Sequence, residues 1–147
     1  MDRINRQIVQ ELSRDGRIAN TQLAGIVGLS PSACLRRVQE LERAGVIRGY
    51  RAVLDPGAMG IGFVAYVTVG LAVHTKEAQA RFEDAVSAMD EVRECHNITG
   101  NAEYLLRVEC ADLAAYKRFH TDKLGTVAGV DRLTTHVVMG SPKDARG

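Results

Sequence analysis

The chain has 147 residues, 46% of them hydrophobic, which suffices for one ordinary domain or two small ones with packed cores and excludes wholesale disorder. No apolar run approaches the roughly 20 residues of a membrane span, and Asp2 and Arg3 lead into an amphipathic pattern rather than a signal peptide, so the expected compartment is the cytoplasm. The formal charge of +1 conceals an asymmetry: residues 1–51 carry nine arginines, no lysine and five acids, a net of +4, whereas residues 52–147 carry 10 basic and 13 acidic side chains. Only the first third has the electrostatics of a polyanion binder, and planar guanidinium forks suit phosphates and guanine edges.

Ile4, Ile8 and Leu12 recur every four residues and predict a first helix over about residues 3–13, stopped by Asp15 and Gly16. Leu23, Ala24 and Val27 place a second, short helix after Asn20, and Gly28 ends it where a left-handed backbone is expected. Leu29 plugs the corner, Ser30 is a good N-cap, and Pro31 falls where its missing N–H costs nothing. The third helix buries a stripe of Cys34, Val38 and Leu41 and turns Ser32, Arg36, Gln39 and Arg43 outward. This is the pattern of a helix-turn-helix whose outer face is polar and basic. The candidate DNA-binding residues are Thr21, Gln22, Ser30, Ser32, Ala33, Arg36 and Arg37, with Arg36 expected at a base edge and Arg37 at a phosphate.

Residues 46–54 have β character and are expected to form a short wing and a hinge strand. Pro56, Gly57, Gly60 and Gly62 then mark a boundary. The expected organisation is a DNA-binding domain over residues 1–48, a hinge and linker over 49–60, and a second domain over 61–147. In the second domain Phe63, Ala65, Val67, Val69, Leu71 and Val73 alternate with Val64, Tyr66, Thr68, Gly70 and Ala72, as a strand requires. A helix over about 76–89 turns Ala78, Phe82, Val86 and Met89 inward. Strands over 92–99 and 103–110 meet at a turn of Gly100, Asn101 and Ala102. A further helix over about 113–124 presents Leu113, Tyr116 and His120, and a last strand covers 132–139. The fold class is therefore α+β: an N-terminal winged helix-turn-helix followed by a ferredoxin-like βαββαβ sandwich. Such a sandwich leaves one sheet face uncovered, here Val64, Tyr66, Leu105 and Val138 interleaved with Thr68, Arg107, Thr134 and His136. That face predicts a homodimer, and a two-fold dimer suits a pseudo-palindromic double-stranded DNA site.

Cys34, Cys95 and Cys110 have no C-x-x-C spacing and read as small buried hydrophobes. The four histidines lack ligand spacing, so no metal is expected. No nucleophile–base pair or paired-carboxylate site is legible, and no enzyme activity is expected.

The stretches M-D-R-I-N-R-Q-I-V, D-G-R-I-A, L-A-G-I-V-G-L-S-P-S-A-C-L-R-R-V-Q-E-L-E-R-A-G-V-I-R-G-Y, E-C-H-N-I-T-G-N-A-E-Y-L-L and H-V-V-M together resemble the Lrp/AsnC, or feast/famine, family of transcriptional regulators over nearly the whole chain, and most of all its leucine-responsive branch. The resemblance implies dimers that often assemble into octamers, a cytoplasmic, nucleoid-associated location, and regulation by an amino acid bound near the turn between the middle strands, with no other cofactor. The effector residues it implies are Thr99, Gly100, Asn101, Ala102, Glu103 and Tyr104, completed by Thr134 and His136. Free amides around Gly100 suit a carboxylate and Glu103 an α-ammonium, with Ala102, Leu113 and His136 left to choose the side chain. The chain departs from the family's usual pattern at Asn101 and Ala102, where an acid and an aromatic are common. The small Ala102 is expected to leave room for a bulkier ligand. Asn5 likewise stands where an acid is common in the first helix. An architectural DNA-wrapping protein and a siroheme-decarboxylase-like enzyme share this layout, but the latter has no use for Arg36 and Arg37 on a basic helix.

Overall fold

The computed structural model describes residues 1–146 and divides into two compact units, residues 1–53 with 145–146, and residues 54–144. In the first, α1 (Arg3–Arg14) starts at Asp2, whose carboxylate accepts the Asn5 amide at 2.7 Å as an N-cap. Helix α2 (Asn20–Val27) ends at Gly28, which has φ 72° and donates its amide to the Ala24 carbonyl. A Cβ is disfavoured in that left-handed geometry, and glycine removes the penalty. Helix α3 (Pro31–Arg43) begins with Ser30, whose Oγ accepts the Ala33 amide at 3.3 Å, and with proline in its first turn. The three helices close over Ile8, Leu23, Ala24, Val27, Cys34 and Leu41, with Ile4, Leu12, Ile18 and Val38 packed around them.

Residues 46–54 form no strand, against expectation. A strand is held by a ladder, and among the described residues no second strand pairs with this one. Ile47 packs against the helical core and the Tyr50 hydroxyl bonds to Glu42, while Val53 stays in solvent at 79% exposure and Tyr50, Leu54 and Val46 are about half exposed.

The second unit is a four-stranded antiparallel sheet, β1 (Phe63–Leu71), β2 (Val92–Asn97), β3 (Tyr104–Cys110) and β4 (Val130–Val137), in the order β2-β3-β1-β4. Helices α4 (Lys76–Ser87) and α5 (Leu113–Asp122) follow β1 and β3, giving the expected βαββαβ order. Thr75 caps α4 through the Ala78 amide and Asp112 caps α5 through the Ala115 amide. Ala65, Val67, Val69, Leu106 and Val108 face Phe82, Val86, Tyr116, Phe119 and Leu124 in one core. The Tyr104 ring stacks tilted on Phe82 at 4.7 Å, and the Tyr116 hydroxyl bonds to Thr135 Oγ1.

The opposite face carries the predicted alternates. Arg107 lies over the Tyr66 ring, 5.5 Å from its centroid, and donates to the Tyr66 hydroxyl at 3.0 Å, with Glu109 at 3.3 Å. Cys34 and Cys110 are buried, but Cys95 is not. It sits on β2, an edge strand with a neighbour on one side only. Leu113, grouped with Tyr116 and His120 in the sequence pattern, is 65% exposed. It is the first residue of α5, ahead of the turn that buries Tyr116 and Phe119.

Candidate functional site

Ser32, Arg36, Gln39 and Arg43 lie exposed on α3, and the side chains of Arg36, Gln39 and Arg43 have no partner among the described residues. Leu35 adds an exposed apolar side chain on the same helix, which the hydrophobic stripe alone did not pick out. The angle between α2 and α3 is braced by Asn20, whose side-chain amide donates to the Pro31 carbonyl at 2.9 Å, another contact invisible to helical periodicity. Ser30 is committed to capping, with its Oγ also 3.3 Å from Ser32 Oγ. Ala33 follows it, half-buried. Thr21 and Gln22 are exposed in the first turn of α2, a helix whose N-cap is Ala19 and has no capping side chain.

Arg37 differs from the expected phosphate ligand. Its Nη1 donates to Asp2 Oδ2 at 2.6 Å and to Asn5 Oδ1 at 3.1 Å, leaving the side chain 27% exposed. It joins α3 to the start of α1, with the Asn5 side-chain carbonyl as its second acceptor. The Asn5 amide, and then the Arg37 guanidinium, hold the Asp2 carboxyl below its ordinary range.

In the second unit, Gly100 turns the chain at φ 113°, and the hairpin closes through Ile98 N–H to Glu103 O at 2.9 Å and Asn97 Nδ2 to the same carbonyl at 3.0 Å. Among the described residues none accepts from the amides of Thr99, Gly100, Asn101 or Ala102. The Glu103 carboxylate is not the open counter-charge expected: Oε2 accepts the Leu71 amide at 2.8 Å and Oε1 pairs with His74 Nδ1 at 2.6 Å. Arg132 donates through Nη2 to the Asn101 carbonyl at 2.9 Å. His74 and Arg132 were missed in the sequence because each meets the turn from about thirty positions away.

Several expected effector residues are placed elsewhere. Tyr104 points into the core, where burial, and then its bond to Glu83 Oε2 at 3.0 Å, push its hydroxyl up to about 12. Ala102 is buried too, so its small side chain opens no room on the exposed side of the turn. Thr134 and His136 share the open sheet face but pair with Thr68 and Tyr66, and His136 lies four residues along from Arg132, about 13 Å at strand spacing. Leu113 follows the far end of β3, away from the turn. A groove of about 480 Å³ at that far end, walled by Cys110, Phe119, Arg93 and the Lys123–Glu91 pair at 2.6 Å, includes none of the turn residues.

A basic helix-turn-helix followed by an αβ sandwich with a charged turn defines a ligand-responsive DNA-binding regulator. The winged helix-turn-helix DNA-binding family matches residues 1–48, and the Lrp/AsnC ligand binding domain matches residues 64–147. The leucine-responsive regulatory protein of Escherichia coli (strain K12) is 39% identical over 145 residues, spanning 99% of this chain and 88% of that protein. A transcriptional regulator from Neisseria meningitidis, solved with L-methionine, is 35% identical with TM-score 0.94, covering 98% of this chain and 93% of its own. A feast or famine regulatory protein from M. tuberculosis, also complexed with L-methionine, is 32% identical with TM-score 0.86, covering 99% and 97%. The chain belongs to the Lrp/AsnC family: it is a DNA-binding transcriptional regulator with a ligand-binding domain, and the relatives it matches are regulators and not enzymes.

Proposed function

We propose that the outer face of α3 reads the operator. The observation that carries this is the set of exposed, unpartnered donors Arg36, Gln39 and Arg43, with Ser32 and Leu35 beside them. Free guanidinium and amide groups on one helix match guanine and adenine edges in the major groove, and Leu35 matches a thymine methyl. Thr21, Gln22 and the uncapped start of α2 hold backbone phosphate. Arg37 acts behind this surface by fixing α3 to α1.

The effector is an amino acid at the turn of residues 99–103. Its free amides suit a carboxylate and Glu103 an ammonium, and L-methionine, which is bound in two structural neighbours, is the first candidate to try. The chain self-associates through the open sheet face and residues 46–54. Tyr66, Val64 and Leu105 are only half covered there, and the hinge has no ladder partner. A chromosome-binding regulator of this kind works in the cytoplasm on the nucleoid.

The test is selection of binding sites from a random duplex pool, followed by titration of the selected and scrambled duplexes at one salt concentration, with and without L-methionine. The selected duplex is expected to bind roughly 10³-fold or more tightly than the scrambled one. Equal binding overturns sequence-specific reading. Glu103→Ala should spare DNA binding and remove the amino-acid response. Sedimentation should show Tyr66→Asp shifting the protein toward monomer, because it places a charge in a desolvated contact.

A further inference from the structure

We propose that Arg132 is the anchor for the effector's α-carboxylate, which takes the place that the Asn101 carbonyl holds on its guanidinium. The inference rests on the amino-acid reading above and adds a residue and a ligand requirement to it. Three features converge on Arg132. It pairs with Gly70 on the neighbouring strand, and its Nε and Nη2 lie 3.6 Å from where a Gly70 Cβ would stand. A glycine therefore gives the guanidinium a flat seat on the sheet that a longer side chain would occupy. The β1–β4 register also shifts between Gly70 and Leu71, so that Leu71 faces Val130 and Arg132 is set off by a bulge. Bulges re-aim side chains, and this one sits beside the residue in question. Finally, the re-aimed arginine uses one donor on the neutral carbonyl of Asn101, and no other partner for it is found among the described residues.

The acid on the other side of the same dipeptide is held in a parallel way. Glu103 binds the Leu71 amide with one oxygen and the mostly exposed His74 with the other. A carboxylate and a guanidinium thus flank Gly70 and Leu71, each resting on a partner that a ligand can replace. The ends of an α-amino acid are an ammonium and a carboxylate two bonds apart, which fits a pair of opposite charges around one dipeptide. Exchanging a neutral carbonyl for a carboxylate converts a single bond to an uncharged acceptor into a bidentate ion pair, which is the stronger arrangement for arginine. The ligand class is therefore a zwitterionic α-amino acid, and an amine lacking the carboxylate loses the arginine contact.

The experiment is calorimetric titration, at a mildly acidic pH where the ester's amine stays protonated, of the full chain and of Arg132→Gln with L-methionine and with L-methionine methyl ester, which then keeps the ammonium and loses the carboxylate charge. Wild type should bind the acid roughly tenfold or more tightly than the ester, and Arg132→Gln should bind both at the ester's level. Arg132→Lys, which keeps the charge without the fork, should restore part of the preference. An unchanged preference for the acid in Arg132→Gln overturns the anchor while leaving the turn amides as the carboxylate site. Equal weakening of acid and ester assigns Arg132 a purely structural role and also overturns it. If wild type gives no heat with L-methionine or any of the other nineteen amino acids, the amino-acid reading itself fails and the anchor with it. That result is separable from the others because it is seen before any substitution.

Discussion

In the first unit the outward side chains of Arg36, Gln39 and Arg43 on α3 have no partner among the described residues, whereas in the second the charged side chains around the turn are already bonded, Glu103 to Leu71 and His74 and Arg132 to Asn101. The difference matches the ligands. DNA is a polyanion that any exposed array of guanidinium groups attracts, so a DNA-reading face works best ready-made, and its internal contacts lie behind it, as with Arg37. A free amino acid brings one charge of each sign. A site for it holds opposite charges close together, and they satisfy each other or their surroundings until the ligand displaces those partners.

If the units are energetically separate as well as compact, a core lesion in one should spare the other. Ile8 is fully buried at the centre of the first unit's core, and Ile8→Ala should cost about 2–5 kcal/mol. Hydrogen exchange should show faster opening across α1 to α3 with the sheet unchanged, and DNA affinity should fall while amino-acid heats persist. Loss of protection in β1 and β3 would contradict the division.

The next effect in size tests the ready-made face. Arg36→Ala should lower affinity for the selected duplex by ~1–3 kcal/mol if the contact is bidentate to a base, with a much smaller loss on scrambled DNA. Equal losses on both duplexes would move Arg36 from the base edges to the phosphates.

The same contrast explains what was legible beforehand. The helix-turn-helix is a local object: Gly28, Ser30 and Pro31 fix the turn within four residues, and periodicity assigns each side chain of α3 to a face, so caps and helix starts fall where expected. The sheet order follows equally well from alternation and topology. What stayed hidden depends on pairs distant in sequence. Arg132 meets Asn101 through the pairing of β4 with β1 and a bulge that no spacing announces. Arg37 looks like any outward arginine until Asp2 is brought beside it. Tyr104 reads as part of the candidate effector turn because it adjoins it, but the two-residue period sends it to the core. The β-rich stretch 46–54 carries strand propensity without the partner that makes a strand.

A smaller effect probes the paired side of the comparison. Tyr104→Phe keeps the ring on Phe82 and removes the bond to Glu83, at a cost of about 0.5–1.5 kcal/mol at neutral pH. The Tyr104 hydroxyl is raised to about 12 in the fold, against about 10 when unfolded. The unfolded chain therefore releases this proton first as pH rises. The stabilisation is complete below about pH 10 and declines between there and about 12. Thermal melts across that window should show wild type losing its advantage over the Phe variant. A constant difference would mean that Tyr104 does not titrate differently in the two states.

The smallest effect is the most discriminating for the first unit, because it separates a charge that serves the fold from charges that serve DNA. Arg37 is tied to Asp2 and Asn5. Arg37→Ala should therefore lower the melting temperature slightly, the pair being near the surface, and should leave the salt dependence of DNA binding unaltered. A phosphate contact would instead reduce the slope of log K against log salt by about 0.9 per contact. The pH dependence carries a sign. Asp2 is held below its ordinary carboxyl value in the fold, so its contribution is present above the unfolded pKa near 3.9 and is lost as pH falls through the lower folded value. The melting difference between wild type and Arg37→Ala should accordingly hold at neutral pH and close below about pH 4. A difference that survives strong acid would assign the stabilisation to the bond with the neutral Asn5 side chain. A reduced salt slope would return Arg37 to the DNA face, and with it the idea that every arginine on α3 is available for the duplex.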